Sequence, residues 1–146
     1  MCLDARPVQT DQDVETLRVI RNSGRQWMTR DTSEITPEQQ EAWWKRRGVA
    51  TGNVWLFCES STDVGYGLLR RDVDGRLFCS LAVLPAHQGR GHGSAIYRWL
   101  ALAVGETVWA EILADNTPSL RAAFRAGFRL MYAADKVAVL AYRRDT

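Results

Sequence analysis

The sequence predicts a mixed α/β (α+β) fold of about seven strands and about four helices, from three observations. Short apolar runs punctuated by turn residues fill positions 53–84, the pattern of an antiparallel meander. Downstream, two helix-like segments alternate with strand-like runs, giving a β-α-β-α-β stretch. Helix start and stop residues fall where the periodicity changes.

Residues 3–9, LDARPVQ, suit a short opening strand. In 10–22, Thr10 caps a helix with acids in its first turn, and Val14, Leu17 and Ile20 share a face. A second helix spans 36–47, with Thr36 as cap, Pro37 at the first helical position and a stop near Gly48. Strands are expected at 53–60, 64–71 and 76–84, separated by SSTD and DVDG. After the loop HQGRGHGSA, residues 94–104 place Ala95, Ile96, Trp99, Leu100 and Ala103 on one helical face. A strand at 106–113 follows, then a helix at 117–128 with Thr117 as cap, Pro118 at the first helical position and Gly127 at its stop. Strands at 128–134 and 136–144 close the chain. No repeat or linker interrupts it, and 146 residues fit one domain, 1–146.

Composition narrows the function classes. Hydrophobic residues make up 46% and charged residues 25%, an ordinary globular balance. The net charge of +2, from 19 basic and 17 acidic residues, gives no support for nucleic-acid binding. No apolar run approaches the ~20 residues that cross a membrane. The first residues lack the apolar region of a secretory signal, so the expected location is cytoplasmic. Cys2, Cys58, Cys79, His87 and His92 lack the spacing of a zinc site, and no metal is expected. Cys58 and Cys79 read as small core residues.

The loop at 87–95 carries the functional question. A helix N-terminus has unpaired N–H groups and the positive end of the helix dipole. Glycines at 89, 91 and 93 remove side chains that would block an anion's approach. The P-loop lysine is missing, and the G-x-G-x-G spacing is not the Rossmann fingerprint. A plain flexible turn is the alternative.

The longer stretch LAVLPAHQGRGHGSAI, 81–96, resembles the acetyl-CoA signature of the GNAT superfamily of N-acetyltransferases, with Gln88, Arg90, Gly91 and Gly93 on the motif. A second segment, WAEILADNTPSLRAAFRAGF at 109–128, resembles the family's downstream motif. The likeness covers roughly 53–135 well. It implies a GNAT-like mixed sheet with splayed fourth and fifth strands, and acetyl-CoA as cosubstrate. It further implies that Leu81, Ala82 and Val83 pair with the pantetheine arm. Gly89, Arg90, Gly91, His92, Gly93 and Ser94, after Gln88, would hold the diphosphate, and Asn116 and Ser119 would contact the cofactor from the far side.

Family members transfer acetyl directly to an amine, which needs a base, donors for the oxyanion and a proton for the thiolate. Glu111 is the expected base. Alternation sets it between Trp109 and Leu113, and a carboxylate among apolar neighbours suits a general base near neutral pH. It lies five residues before Asn116, as in the branch that acetylates N-terminal alanine. A solvated strand carboxylate is the other reading. The family's tyrosine four residues before the GF glycine is Ala123 here, and Phe124 beside it has no proton to give. Ser119 and Tyr132 are the candidate donors, and Tyr97 reads as helix packing.

Trp27, Met28 and Trp43, with Trp44, are expected to line the acceptor cleft or else to sit in the core, and Asp31 and Glu34 can attract a cationic amine. Arg70, Arg71, Arg143 and Arg144 read as solvated strand ends that a phosphate-bearing acceptor can use. The expected activity is acetyl transfer to a primary amine of a small molecule or protein N-terminus. The alternatives are an acyl-CoA-binding regulatory module without turnover and an acyltransferase acting on a nucleic-acid base. An edge strand at the C-terminus makes a homodimer a further expectation.

Overall fold

A computed structural model describes residues 3–29, 32–47 and 53–144. Its strands are β1 (Asp4–Pro7), β2 (Val54–Glu59), β3 (Thr62–Arg71), β4 (Leu77–Val83), β5 (Val108–Leu113), β6 (Arg129–Ala134) and β7 (Val137–Tyr142). The helices are α1 (Asp11–Ser23), α2 (Pro37–Arg47), α3 (His92–Leu102) and α4 (Thr117–Ala126). Seven strands form one sheet in the order β1-β2-β3-β4-β5-β7-β6. Every neighbouring pair is antiparallel except β4 and β5, which run parallel. Asp31 and Gly48 lie outside the described residues.

Local chemistry explains the elements. Thr10 and Asp13 form a reciprocal capping box at α1. Thr36 and Gln39 do the same at α2, with bonds of 3.2 and 2.9 Å. Ser60 and Ser61, and then Asp135 and Lys136, take positive φ in the tight turns joining β2 to β3 and β6 to β7. Helix α4 ends on Gly127, whose φ of 106° favours glycine and where a Cβ would sit 2.9 Å from the Tyr142 ring. One expectation is corrected: the cap of α4 is Asn116, not Thr117. The Asn116 side chain accepts from Ser119 N–H at 3.4 Å, which pushes Thr117 into the first turn.

The sheet is covered on both faces. One face packs Phe57, Leu69, Val108 and Leu140 against Ile96 and Leu100 of α3 and against Phe128. The other packs Leu56 and Tyr66 against Val14, Leu17 and Ile20 of α1. Each fully buried large side chain contributes about 1.5–3 kcal/mol to folding. Strand β6 is an edge strand, exposed at all six positions. Among the described residues no helix is long and apolar enough to cross a membrane.

Candidate functional site

The site begins where the parallel pair separates. Leu77–Cys79 of β4 pair with Val108–Ala110 of β5, and there the pairing stops. Strand β5 continues to pair with β7 as far as Leu113, while β4 stays with β3 as far as Val83. The expected splay of the fourth and fifth strands is therefore present. The Leu84 N–H donates to the Val64 carbonyl on β3 at 2.8 Å. By alternation, the N–H groups of Leu81 and Val83 face away from β3, toward the gap that β5 has left. The Gln88 side-chain amide donates to the Val83 carbonyl on that side at 3.0 Å.

A cleft of about 800 Å³ fills the gap. Leu81, Ala82, Val83 and Gln88 line it, as do Gly89, Gly91, His92, Gly93 and Ser94, and Asn116 and Ser119 stand opposite. Gly89 and Gly91 take φ of 79° and 85°, which an L side chain resists. Gly91 stands at the cap position of α3 and, among the described residues, no side chain caps that helix, so its first N–H groups are left to whatever enters the cleft. The N-terminal ends of both α3 and α4 border this space, and Arg121 and Arg125 add positive charge.

The side chains of two residues of the glycine motif approach Glu59. The Arg90 side chain, 56% exposed, lies 3.9 Å from Glu59 and does not line the cleft, so the contact expected of Arg90 is left to its backbone. His92 is buried, with Nε2 3.6 Å from the same Glu59 oxygen, and neither ring nitrogen makes a hydrogen bond among the described residues.

Glu111 stands on the wall of the cleft, on the same sheet face as Ser80 of β4 and Arg70 of β3. Its neighbours are not only apolar. Thr29 donates a hydroxyl to Oε1 at 3.3 Å, and an Arg70 guanidinium nitrogen lies 3.8 Å from the same oxygen. The solvated-strand-end reading of Arg70 is thereby overturned. Arg71 does pair at the surface, with Glu106.

The proton-donor expectation divides. Ser119 is in the cleft, its hydroxyl 2.7 Å from that of Tyr97 on α3. Burial pushes the Tyr97 phenol up, and the Ser119 bond only partly offsets this. Tyr97 is thus a cleft residue, which helix periodicity alone did not show. Tyr132 is corrected: it lies on β6, beyond β7, where its hydroxyl accepts from Arg76 at 2.8 Å, outside the cleft. Ala123 is fully buried.

Trp27 and Met28 line the cleft, following α1 in a short turn of 3-10 helix at Arg25–Trp27. Trp43 lies instead in a second recess of about 560 Å³, between α1, α2 and the sheet, and Glu34 is on its rim. Cleft and recess share one wall: Arg21, Met28, Arg70 and Ser80. Among the described residues no cluster of His, Cys, Asp and Glu can hold a metal. Cys79 lines the cleft, and burial pushes its thiol up to about 12.

Residues 3–129 match the family model described as acetyltransferase (GNAT) domain. The chain belongs to this family of acetyltransferases. Several solved structures share its fold. The yncA protein of Salmonella typhimurium, solved with acetyl-CoA, is 19% identical at a TM-score of 0.77, covering 99% of this chain and 95% of that one. A phosphinothricin acetyltransferase from Sinorhizobium meliloti, in complex with acetyl-CoA, is 17% identical at 0.78, covering 99% and 89%. A ribosomal-protein-alanine N-acetyltransferase from Brucella melitensis is 19% identical at 0.72, covering 94% and 96%. No curated protein matches the sequence.

Proposed function

We propose that this protein transfers the acetyl group of acetyl-CoA directly to a primary amine, of a small molecule or a protein N-terminus, with Glu111 as the base. One observation carries the reading: an unpaired strand edge, a positive-φ glycine loop and two helix N-termini face one cleft, and a carboxylate on its wall lies beside Arg70, which the cleft shares with a second recess. These parts fit an acyl-CoA. The loop from Gly89 to Ser94 holds the diphosphate on the uncapped α3 turn. The gap side of β4, with the N–H groups of Leu81 and Val83, takes the pantetheine amides. Asn116 and Ser119 contact the cofactor from α4.

Acetyl-CoA supplies an acyl group already activated as a thioester. Glu111 takes the proton that the amine gives up, while Thr29 orients one of its oxygens. Backbone N–H groups at the end of β4 offer donors to the negative charge that develops on the acyl oxygen. Tyr97 keeps its proton throughout the neutral range, because burial holds its phenol above the ordinary value. It therefore serves as a hydrogen-bond donor toward the departing sulfur, linked to Ser119. This pair takes the place of the hydroxyl that Ala123 lacks. Trp27, Met28 and Trp43 contribute to the acceptor side.

Calorimetric titration of acetyl-CoA against wild type and Gly91→Trp tests the cofactor site. Saturable wild-type binding, lost in a variant with an unchanged circular dichroism spectrum, is the expected result. No binding by wild type overturns the reading.

A further inference from the structure

We propose that His92 takes up a proton when the diphosphate of acetyl-CoA enters the glycine loop, and that the imidazolium so formed, held by Glu59, is part of the cofactor site; this rests on the cofactor site proposed above. His92 is the first residue of α3 and lines the cleft with Gly91 and Gly93. It is 1% exposed, and neither Nδ1 nor Nε2 has a hydrogen-bond partner among the described residues. A buried polar group without a partner costs stability, so its presence beside a binding loop calls for a reason.

The groups near the ring supply that reason. Glu59, at the end of β2, has an oxygen 3.6 Å from Nε2, too far for a hydrogen bond. It is the one carboxylate within 4 Å of the ring among the described residues. Arg90 on the loop approaches the same oxygen at 3.9 Å. A carboxylate and a diphosphate only accept hydrogen bonds. A neutral imidazole has one N–H and one acceptor nitrogen, so it suits one such group. An imidazolium has two N–H donors and suits two. In the empty cleft its charge would stand buried at the positive end of α3, with Glu59 as the nearest counter-charge. A diphosphate on the same turn brings negative charge to it. Each event then favours the other: the ligand draws a proton from solvent onto the ring, and the charged ring holds the ligand more tightly.

The other ionisable groups on the surrounding elements do not supply the proton site. Asp63 of β3 is bound to Arg6. Burial keeps the Cys79 thiol of β4 and the Tyr97 phenol of α3 protonated at neutral pH. Arg121 and Arg125 of α4 line the cleft and, like Arg90, stay charged throughout. His87, in the short turn after β4, also lines the cleft with a buried, unpartnered Nδ1, so it is the control for the test.

Calorimetry of acetyl-CoA binding, run near neutral pH in two buffers of different ionisation enthalpy, counts the protons taken up. The 3′-phosphate of coenzyme A titrates in the same range, so acetyl-dephospho-CoA, which keeps the diphosphate and lacks that group, is titrated as well. We expect wild type to take up about half a proton or more per ligand, and its affinity for acetyl-dephospho-CoA to rise about fivefold or more from about pH 8 to about pH 6. In His92→Leu the uptake should vanish and the affinity should stay within about twofold over that range. His87→Gln should keep the wild-type uptake. Glu59→Gln, at a part-exposed strand end, should lose most of it, and this variant carries the test if His92→Leu does not fold by circular dichroism. Uptake by wild type no greater than that of His92→Leu overturns the inference, as does uptake that Glu59→Gln leaves intact. So does uptake lost in His87→Gln, or affinity for acetyl-dephospho-CoA that falls toward low pH. Wild type that shows no saturable acetyl-CoA binding overturns the cofactor site itself, an outcome the same titrations separate from binding without proton uptake.

Discussion

On the α3–α4 side the cleft is walled largely by backbone: a strand edge, a glycine loop and two helix ends. On the α1–α2 side it is walled by side chains: Arg21, Met28, Arg70 and Glu111. A backbone site recognises what every acyl-CoA shares, because N–H groups and helix ends do not depend on which side chains surround them. A side-chain site is specific to its ligand, and single substitutions alter it. The two halves should therefore fail differently. Changes on the α1–α2 side should affect turnover with the cofactor still bound, and changes on the α3–α4 side should affect cofactor binding first.

The largest separation should come from Glu111→Gln, which keeps the shape and removes the base. Its kcat should fall by about 10²–10⁴, with the acetyl-CoA dissociation constant, measured by calorimetry, essentially that of wild type. A kcat near the wild-type value would remove Glu111 from the chemistry. Tyr97→Phe should cost less, about ten- to a hundredfold in kcat, the value of one hydrogen bond to a charged group. Ser119→Ala in the Tyr97→Phe background should then add little, because the two hydroxyls act as one pair. Additive losses would show that they act separately.

The same contrast explains what could be read from the sequence. The backbone half announces itself, because glycines at 89, 91 and 93 before a helical period are a local pattern. The strands were legible for the same reason: alternation and turn residues lie close together in the chain. The side-chain half is assembled from distant positions. Glu111 meets Thr29 across 82 residues, and no periodicity reports that. Arg70 looked like a strand end because its neighbour Arg71 is one, yet alternation puts the two on opposite faces. Tyr97 shares a helical stripe with core residues, so its apolar ring was predictable and the destination of its hydroxyl was not. Tyr132 failed in the other direction. It is a tyrosine at a plausible distance along the chain, carried by the sheet order past β7 to the edge.

Asn116 has a duty in each account, which makes it a sharper probe of the backbone half. Its side chain caps α4 and it lines the cleft. Asn116→Ala should cost about 1 kcal/mol of stability through the lost cap, seen as a lower Tm, and should weaken acetyl-CoA binding several-fold. Asn116→Asp preserves the cap and places a negative charge in the cleft proposed to take the cofactor's diphosphate. It should therefore retain the Tm of wild type and still bind acetyl-CoA less well. Lower Tm with unchanged affinity in Asn116→Ala would reduce Asn116 to a cap alone.

The smallest expected effect concerns how α1, and with it Arg21, is held in place. Arg6 on β1 bonds Asp13 at the start of α1 and Asp63 on β3, and it also donates to the Cys58 thiol at 2.8 Å. Burial raises the Asp13 carboxyl, but Arg6 and the N–H groups of Gln9 and Thr10 outweigh it and hold the group below its ordinary value. Arg6 lowers Asp63 more directly. The Cys58 thiol, pushed up to about 11 chiefly by burial, stays protonated at neutral pH and donates to Asp63 at 2.9 Å, which adds to the lowering there. Carboxylates lowered on folding stabilise the native state above their unfolded pKa of roughly 4, and that contribution is lost as pH falls through the folded values. Arg6→Met removes the one lowering cause that the two carboxylates share. Its stability deficit against wild type should be largest near neutral pH and should narrow between about pH 5 and pH 3, by about 1 kcal/mol or less because Arg6 is 42% exposed. Urea unfolding of both proteins across that range measures the gap. A deficit that stays constant with pH would mean that Arg6 holds α1 by packing of its stem, and the charge cluster would have no part in positioning the acceptor side.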